Sequence, residues 1–313
     1  MPQDGLARRL PIKPLLLVLA AAAAGYAVVL MLFGERSTLA ILGQLVSWVG
    51  LQAAALCIVN YVLRGLRWRM WMTHYQRHLG LFEGLRLYLA SYTFTPTPGN
   101  IGEAARGLLL ARNPLSAAQS LALFLAERVA DFLCLLLLCL PLLGLLVDLL
   151  PGHEGVLLQW VGWAVAALVL ASALMIVAWR RWRHRWDGSS VQAAWQCLAW
   201  QPLRWFGLTL VAWAAQGWAV WLLCSAAGLD LSALRASAIY ATAMVGGALS
   251  FLPAGLGGTE ALLSGLLILQ GAATAQALGI TVLVRLLTLG LAVAIGALAL
   301  VYSAVIRRDI SFQ

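Results

Sequence analysis

Apolar residues occur along this chain in blocks of membrane-span length, separated by short polar stretches. A helix needs roughly 20 apolar residues to cross the hydrocarbon core of a bilayer. Such blocks fall at 14–33, 39–63, 116–149, 156–179, 204–227 and 274–304. Two more apolar stretches are interrupted: 81–112 by Thr95-Pro96-Thr97-Pro98-Gly99-Asn100, and 231–270 by Pro253-Ala254-Gly255-Leu256-Gly257-Gly258. Pro removes a backbone donor and Gly frees the chain, so each stretch predicts two helical arms around a non-helical turn. Most arms are short for a span, which predicts re-entrant hairpins, although the arm 231–251 is long enough to cross.

The two interruptions match. With no gap, Phe94 falls on Phe251, Pro96 on Pro253 and Glu103 on Glu260, an offset of 157 residues. The same offset carries Gln119 onto Gln276, Leu121 onto Leu278 and Arg128 onto Arg285. Each half therefore has a break, a Glu just after it, and an Arg 25 residues later. The hairpin breaks themselves comprise Pro96, Pro98, Gly99 and Gly102 in the first half, and Pro253, Gly255, Gly257 and Gly258 in the second. Broken hydrophobic segments at matching positions point to a transporter's binding site.

The expected fold is an all-α polytopic membrane protein of two inverted repeats, each of three transmembrane helices plus a broken re-entrant helical hairpin. Residues 1–13 form a cytoplasmic N-terminus, 14–150 the first membrane repeat with hairpin 81–112, 151–304 the second with hairpin 231–270, and 305–313 a cytoplasmic C-terminus. Three crossings per half invert the second half, so the hairpins enter from opposite faces and their tips should meet near the midplane. Non-helical backbone is tolerated there only when it is protein-buried or lines a wet cavity.

Composition agrees: 62% of residues are hydrophobic, 11% charged, and mean hydropathy is +0.88. A soluble domain carries about twice that charge fraction. The net charge of +9 is almost all arginine, with Lys13 the one lysine. It reads as topology, since positive residues stay on the cytoplasmic side, rather than as nucleic-acid binding. With the N-terminus inside, Arg8, Arg9, Lys13, then Arg64, Arg67, Arg69, Arg77, then Arg180, Arg181, Arg183, Arg185, Arg204, and finally Arg307 and Arg308 all fall inside. The expected location is a bacterial inner membrane. The run from Leu15 to Phe33 is long for a signal-peptide core and is expected to stay as the first span. Trp68, Trp71, Trp179, Trp182, Trp186, Trp200 and Trp205 cluster at the same ends and read as an interfacial belt. The five cysteines show no paired spacing and the four histidines are scattered, so neither a disulfide framework nor a metal site is expected. There is no nucleotide-binding loop and no hydrolase motif, hence no expected cofactor and no expected catalytic residue.

Charges at membrane depth are costly and mark function by default. They are Glu103, Arg106, Glu127, Arg128, Asp131, Glu260 and Arg285. The bland reading makes them ion pairs that hold the bundle. The repeat favours a shared path, because Glu103 and Glu260 both follow a break where water and substrate can arrive. Arginines beside carboxylates suit a zwitterionic or phosphate-bearing head group, with a proton or Na+ as coupling ion. Arg64, Arg67 and Arg69 end the second span and read first as anchors, second as contacts for anionic lipid.

The segments Pro98-Gly99-Asn100-Ile101-Gly102-Glu103-Ala104-Ala105-Arg106, Glu127-Arg128-Val129-Ala130-Asp131 and Pro253 to Glu260 resemble the lysylphosphatidylglycerol synthase transmembrane (flippase-like) family over roughly 14–304. Fused members carry a soluble aminoacyltransferase domain after the membrane region. Here only Arg307 to Gln313 follow the last span, so the resemblance implies lipid flipping rather than lipid synthesis. It implies the seven intramembrane charges as substrate-binding residues, a membrane lipid as substrate and the bilayer as partner. Alternatives are a small-solute or ion secondary transporter, a membrane-embedded lipid-modifying enzyme, or an accessory subunit of one.

Overall fold

The computed structural model describes residues 41–109, 115–142, 190–250 and 252–310. The expected spans 14–33 and 156–179, the basic run 180–186 and Trp179, Trp182 and Trp186 lie outside the described residues. Every regular element among the described residues is helical. Three are long and apolar enough to cross a membrane: α1 (Trp48–His74), α5 (Pro202–Ala226) and the run Thr274–Ser303. Between α1 and α5 come α2 (Leu81–Ala90), α3 (Ala117–Cys139) and α4 (Ser190–Ala199). After α5 follow α6 (Ala233–Leu249), α7 (Gly258–Leu269), α8 (Thr274–Arg285) and α9 (Leu291–Ile310).

The second span is displaced from its expected bounds. Helix α1 starts where the Ser47 hydroxyl accepts from Gly50 N at 3.2 Å, and runs on to His74. Arg64, Arg67 and Arg69 do not end it. Arginine is a good helix former, and Arg64 and Arg67 turn inward to a carboxylate rather than out to a head-group layer. The buried positions Ala53, Cys57, Asn60, Arg64, Arg67 and Trp71 recur three or four apart and so share one face. Trp68 and Trp71 are fully buried, and Trp205 is nearly so, so they pack inside the protein instead of anchoring it at an interface; Trp200 is 40% exposed.

The two interrupted stretches fold differently. In the second, α6 and α7 flank a short turn at Pro253–Gly255, with Ala254, Gly255 and Gly257 all at positive φ. In the first, α2 passes into a tight turn at Ser91–Phe94, and the arm after the break, Pro98–Leu109, is 3₁₀ rather than the expected α-helix. Thr97 sets this conformation by accepting from Asn100 N through its carbonyl at 2.8 Å and from Gly102 N through its hydroxyl at 2.9 Å. A 3₁₀ helix eclipses residues i and i+3. Glu103 and Arg106 are thereby stacked edge on edge and joined at 2.9 Å.

The 157-residue offset reappears in local structure. Helices α3 and α8 start at matching residues, Ala117 and Thr274. Gln119 accepts from Ser116 N at 3.0 Å, and Gln276 from Ala273 N at 3.3 Å. Asn100 and Gly257, also offset partners, both have positive φ. Helix α1 packs along α5, α6 lies against α3, α5 and α7, and α9 crosses α2 and the 91–94 turn. Gly296 permits that last crossing, because a Cβ there would stand 2.6 Å from Thr93 N and 2.9 Å from Leu89 O. Small residues let backbones approach where lipid supplies no hydrophobic drive between helices. The 3₁₀ arm of the first stretch touches the Pro253–Gly255 turn of the second, so the two breaks meet.

Candidate functional site

The site grows from α3, whose centre carries Glu127, Arg128 and Asp131. Asp131 accepts from Arg64 Nη2 on one oxygen and from Arg67 Nη1 on the other, both at 2.7 Å. Trp213 Nε1 donates to the second of these oxygens at 3.3 Å, and Arg67 also reaches the Thr209 hydroxyl at 2.8 Å. One turn earlier, Glu127 holds Arg106 Nη1 through both oxygens, at 2.6 and 2.7 Å. Arg106 then bonds Glu103, whose other oxygen accepts from the Thr95 hydroxyl at 2.8 Å. Arg128 closes the chain, lying 3.4 Å from Glu103 and 3.5 Å from Asp131. Four arginines and three carboxylates thus form one connected network.

Its walls are aromatic. The guanidinium carbon of Arg106 lies 4.3 Å from the Tyr88 ring centre, and those of Arg64, Arg67 and Arg128 lie 5.2 Å from Trp213, Trp71 and Phe124. Cations over ring faces gain most where water is excluded. The aromatic walls therefore lower part of the cost of placing four arginines among apolar helices.

The second half holds a separate pair. Arg285 Nε donates to Glu260 at 2.7 Å, and Glu260's other oxygen accepts from Gly257 N, also at 2.7 Å. Arg285 Nη2 donates to the carbonyl of Ala254 at 2.8 Å. Ala254 has φ +53, an uncommon conformation for a residue with a Cβ. Arg285 therefore clamps the turn while Glu260 occupies the N-terminus of α7, and the partial positive charge there is already met by a carboxylate. Arg285 ends α8 where the chain widens into a π segment, Leu286–Gly290, and the Tyr61 hydroxyl lies 3.0 and 2.8 Å from the carbonyls of Leu287 and Thr288. Segments of this kind recur at functional sites.

Each Glu therefore meets the Arg 25 residues after it, within its own half: Glu103 with Arg128 and Glu260 with Arg285. The two pairs are not equivalent. The first is long, and its arginine side chain is 30% exposed; the second is short, and its arginine side chain is 4% exposed.

Both pairs border a cavity of about 620 Å³. Its polar side is Arg64, Glu103, Arg128, Asp131 and Arg285, with Thr95, Asn100, Gln216 and Thr288 between them. Its apolar side includes Val129, Phe132, Leu133 and Leu136, one face of α3, together with Met244 and Val245 of α6. Of the seven charges expected to line a path, Glu103, Arg128, Asp131 and Arg285 reach this cavity. Arg106 and Glu127 lie behind Glu103, buried and bonded to each other, and Glu260 stands behind Arg285. Of the expected breaks, Gly255 reaches the cavity. Arg64 joins the cavity lining and Arg67 the network behind it, although the hydropathy pattern places both past the end of a span. The signal was available in the spacing of Asn60, Arg64 and Arg67, which repeats the buried face of α1.

Residues 15–296 match the family described as lysylphosphatidylglycerol synthase TM region. No curated protein and no solved structure matches the chain.

Proposed function

Since the chain belongs to the lysylphosphatidylglycerol synthase transmembrane family, a multi-pass membrane family tied to lipid handling, we propose that it moves a polar-headed lipid between the leaflets of the bacterial inner membrane. One observation carries this reading: a single cavity joins a charged side, Arg64, Glu103, Arg128, Asp131 and Arg285, to an apolar side of Val129, Phe132, Leu133 and Leu136. A lipid needs both surfaces at once. The head group sits among the charges while the acyl chains lie along α3 toward hydrocarbon, and the head avoids the cost of bare charge in lipid. A site for a small polar solute has no use for the apolar wall.

In this account the halves are inverted repeats, and the breaks at 95–100 and 253–258 belong to re-entrant hairpins that meet at the cavity. The meeting of the two breaks and the local correspondences at an offset of 157 support it. Both termini are placed in the cytoplasm. Arg64 and Arg67, spent on Asp131, no longer count toward that assignment; Arg69, Arg77, Arg204, Arg307 and Arg308 still do. A proton is the favoured coupling ion, acting through a carboxylate that releases its arginine when protonated. The membrane region is read as a transporter rather than an enzyme.

The test is leaflet transfer in vesicles. Purified protein reconstituted with a head-labelled phospholipid is treated with a membrane-impermeant quencher over time. Faster loss of the protected inner-leaflet signal than in protein-free vesicles is the expected result. Equal rates with and without protein, over a range of head groups and with an imposed pH gradient, would refute the transport reading.

A further inference from the structure

Among the described residues the charge network does not balance. Arg64, Arg67, Arg106 and Arg128 face Glu103, Glu127 and Asp131, which leaves one positive charge over. Arg285 and Glu260, bonded to each other, add one charge of each sign and do not change the sum. The surplus can be assigned to a residue. Arg106 chelates Glu127, and Arg64 and Arg67 each take their own oxygen of Asp131 at 2.7 Å. Arg128 has only second claims. Its Glu103 oxygen already accepts from Arg106 at 2.9 Å, and its Asp131 oxygen already accepts from Arg64 at 2.7 Å. Its own approaches are 3.4 and 3.5 Å, and its Nε has no hydrogen-bond partner. Beside it, Arg64 is 7% exposed, lines the same cavity, and also has an Nε without a partner.

The Arg128 side chain is 30% exposed and borders the cavity, so its surplus charge is offset when an anion arrives there. Arginine presents a planar fork that matches phosphate oxygens, whereas a lone ammonium acts as a point charge. A cationic head group would add to the surplus and find both candidate carboxylates already taken. We propose that Arg128, with the Arg64 guanidinium beside it at the cavity, receives one phosphate monoanion, and that the cavity selects lipids whose head group carries a net negative charge over zwitterionic and aminoacylated ones. This rests on the transport reading for its site and names the charge class of its substrate.

The test is binding, kept apart from transfer. Full-length protein in nanodiscs is offered phosphatidylglycerol, phosphatidylcholine and lysylphosphatidylglycerol in equal amounts, and retained lipid is counted by native mass spectrometry. Inorganic phosphate is titrated in parallel. Phosphatidylglycerol should be retained about tenfold or more over the other two, as one charge-assisted contact implies. Arg128→Gln should abolish the preference and Arg128→Lys should keep part of it. Phosphate alone should displace the lipid only weakly, because it makes no use of the apolar wall. Equal retention of the three lipids overturns the proposal, as does an undiminished preference in Arg128→Gln. Binding of free phosphate as tight as that of the lipid overturns the lipid source of the anion. Folding is checked independently: Arg128→Gln removes a surplus charge, so its melting temperature should equal or exceed that of the wild type. A clear fall would show that Arg128 belongs to the structural pairs. Selective binding without leaflet transfer would sink the transport reading alone; transfer indifferent to head-group charge would sink this inference alone.

Discussion

Asp131→Asn removes the anion on which two buried arginines converge. The Arg67 side chain has no exposure and that of Arg64 has 9%, and each reaches its own oxygen of Asp131 at 2.7 Å. Asparagine has nearly the same shape, so packing is kept and charge is the variable. Its amide keeps one acceptor but turns the other oxygen into a donor, which then faces a guanidinium. The network surplus rises from one positive charge to two. Breaking a buried pair by neutralising one partner costs about 3–5 kcal/mol, because the other charge stays buried. The assay is thermal unfolding in detergent or nanodiscs, with wild type, Asp131→Asn, Arg128→Gln and the double variant Asp131→Asn, Arg128→Gln. The double variant returns the surplus to one, so it should recover at least about 1 kcal/mol relative to additivity, as expected for residues in one network. A loss below about 0.5 kcal/mol in Asp131→Asn, the size of an ordinary surface change, would refute the claim that Asp131 anchors Arg64 and Arg67.

Other expectations follow from the same contacts. Gly296→Ala should weaken the packing of α9 on the first interrupted stretch by about 1–3 kcal/mol, because its Cβ meets backbone atoms of Thr93 and Leu89 that cannot turn aside; unchanged melting would contradict that approach. Ser116→Ala should cost about 1 kcal/mol through loss of the α3 cap, where the hydroxyl accepts from Gln119 N at 3.2 Å; equal melting would show that the cap is idle. Glu260→Gln should free Arg285 from its pair and lower both transfer and its dependence on an imposed pH gradient; intact transfer with intact pH dependence would remove Glu260 from the coupling step. Phe132→Asn, on the apolar side of the cavity, should slow lipid transfer with little change in melting, and an unaltered rate would shift the acyl-chain path elsewhere.

The arms of the second interrupted stretch were legible because its turn chemistry is local. Pro253, Gly255 and Gly257 dictate a break whatever surrounds them, and α7 begins at Gly258, the last residue of the expected interruption. The start of α8 at Thr274 was legible for the same reason, the hydropathy block beginning where the helix does. The first stretch was harder. Nothing in Pro98-Gly99-Asn100 alone distinguishes an α-helical arm from a 3₁₀ one; the choice depends on the Thr97 hydroxyl and on the Arg106–Glu127 contact across to α3. The seven intramembrane charges stood out by their cost in lipid. The arrangement that pairs each Glu with the Arg of its own half needed coordinates, since equal spacing is compatible with crossed pairing as well. Arg64 and Arg67 were hidden by a rule that works on averages. A cluster of arginines at the end of an apolar block usually faces a head-group layer, and only the carboxylate of Asp131, 64 residues after Arg67, turns these two inward. Trp68 and Trp71 followed them inward on the same face of α1.

The account stands or falls on lipid crossing the bilayer through this cavity. The measurement to make is the leaflet-transfer rate of a head-labelled anionic lipid in sealed vesicles, beside uptake of water-soluble amines, phosphate and sugars in the same preparation, for wild type and for Glu103→Gln. The prediction is lipid transfer well above the protein-free rate, reduced in Glu103→Gln, with no saturable solute uptake. Saturable solute uptake without lipid transfer would contradict it and make the cavity a solute site.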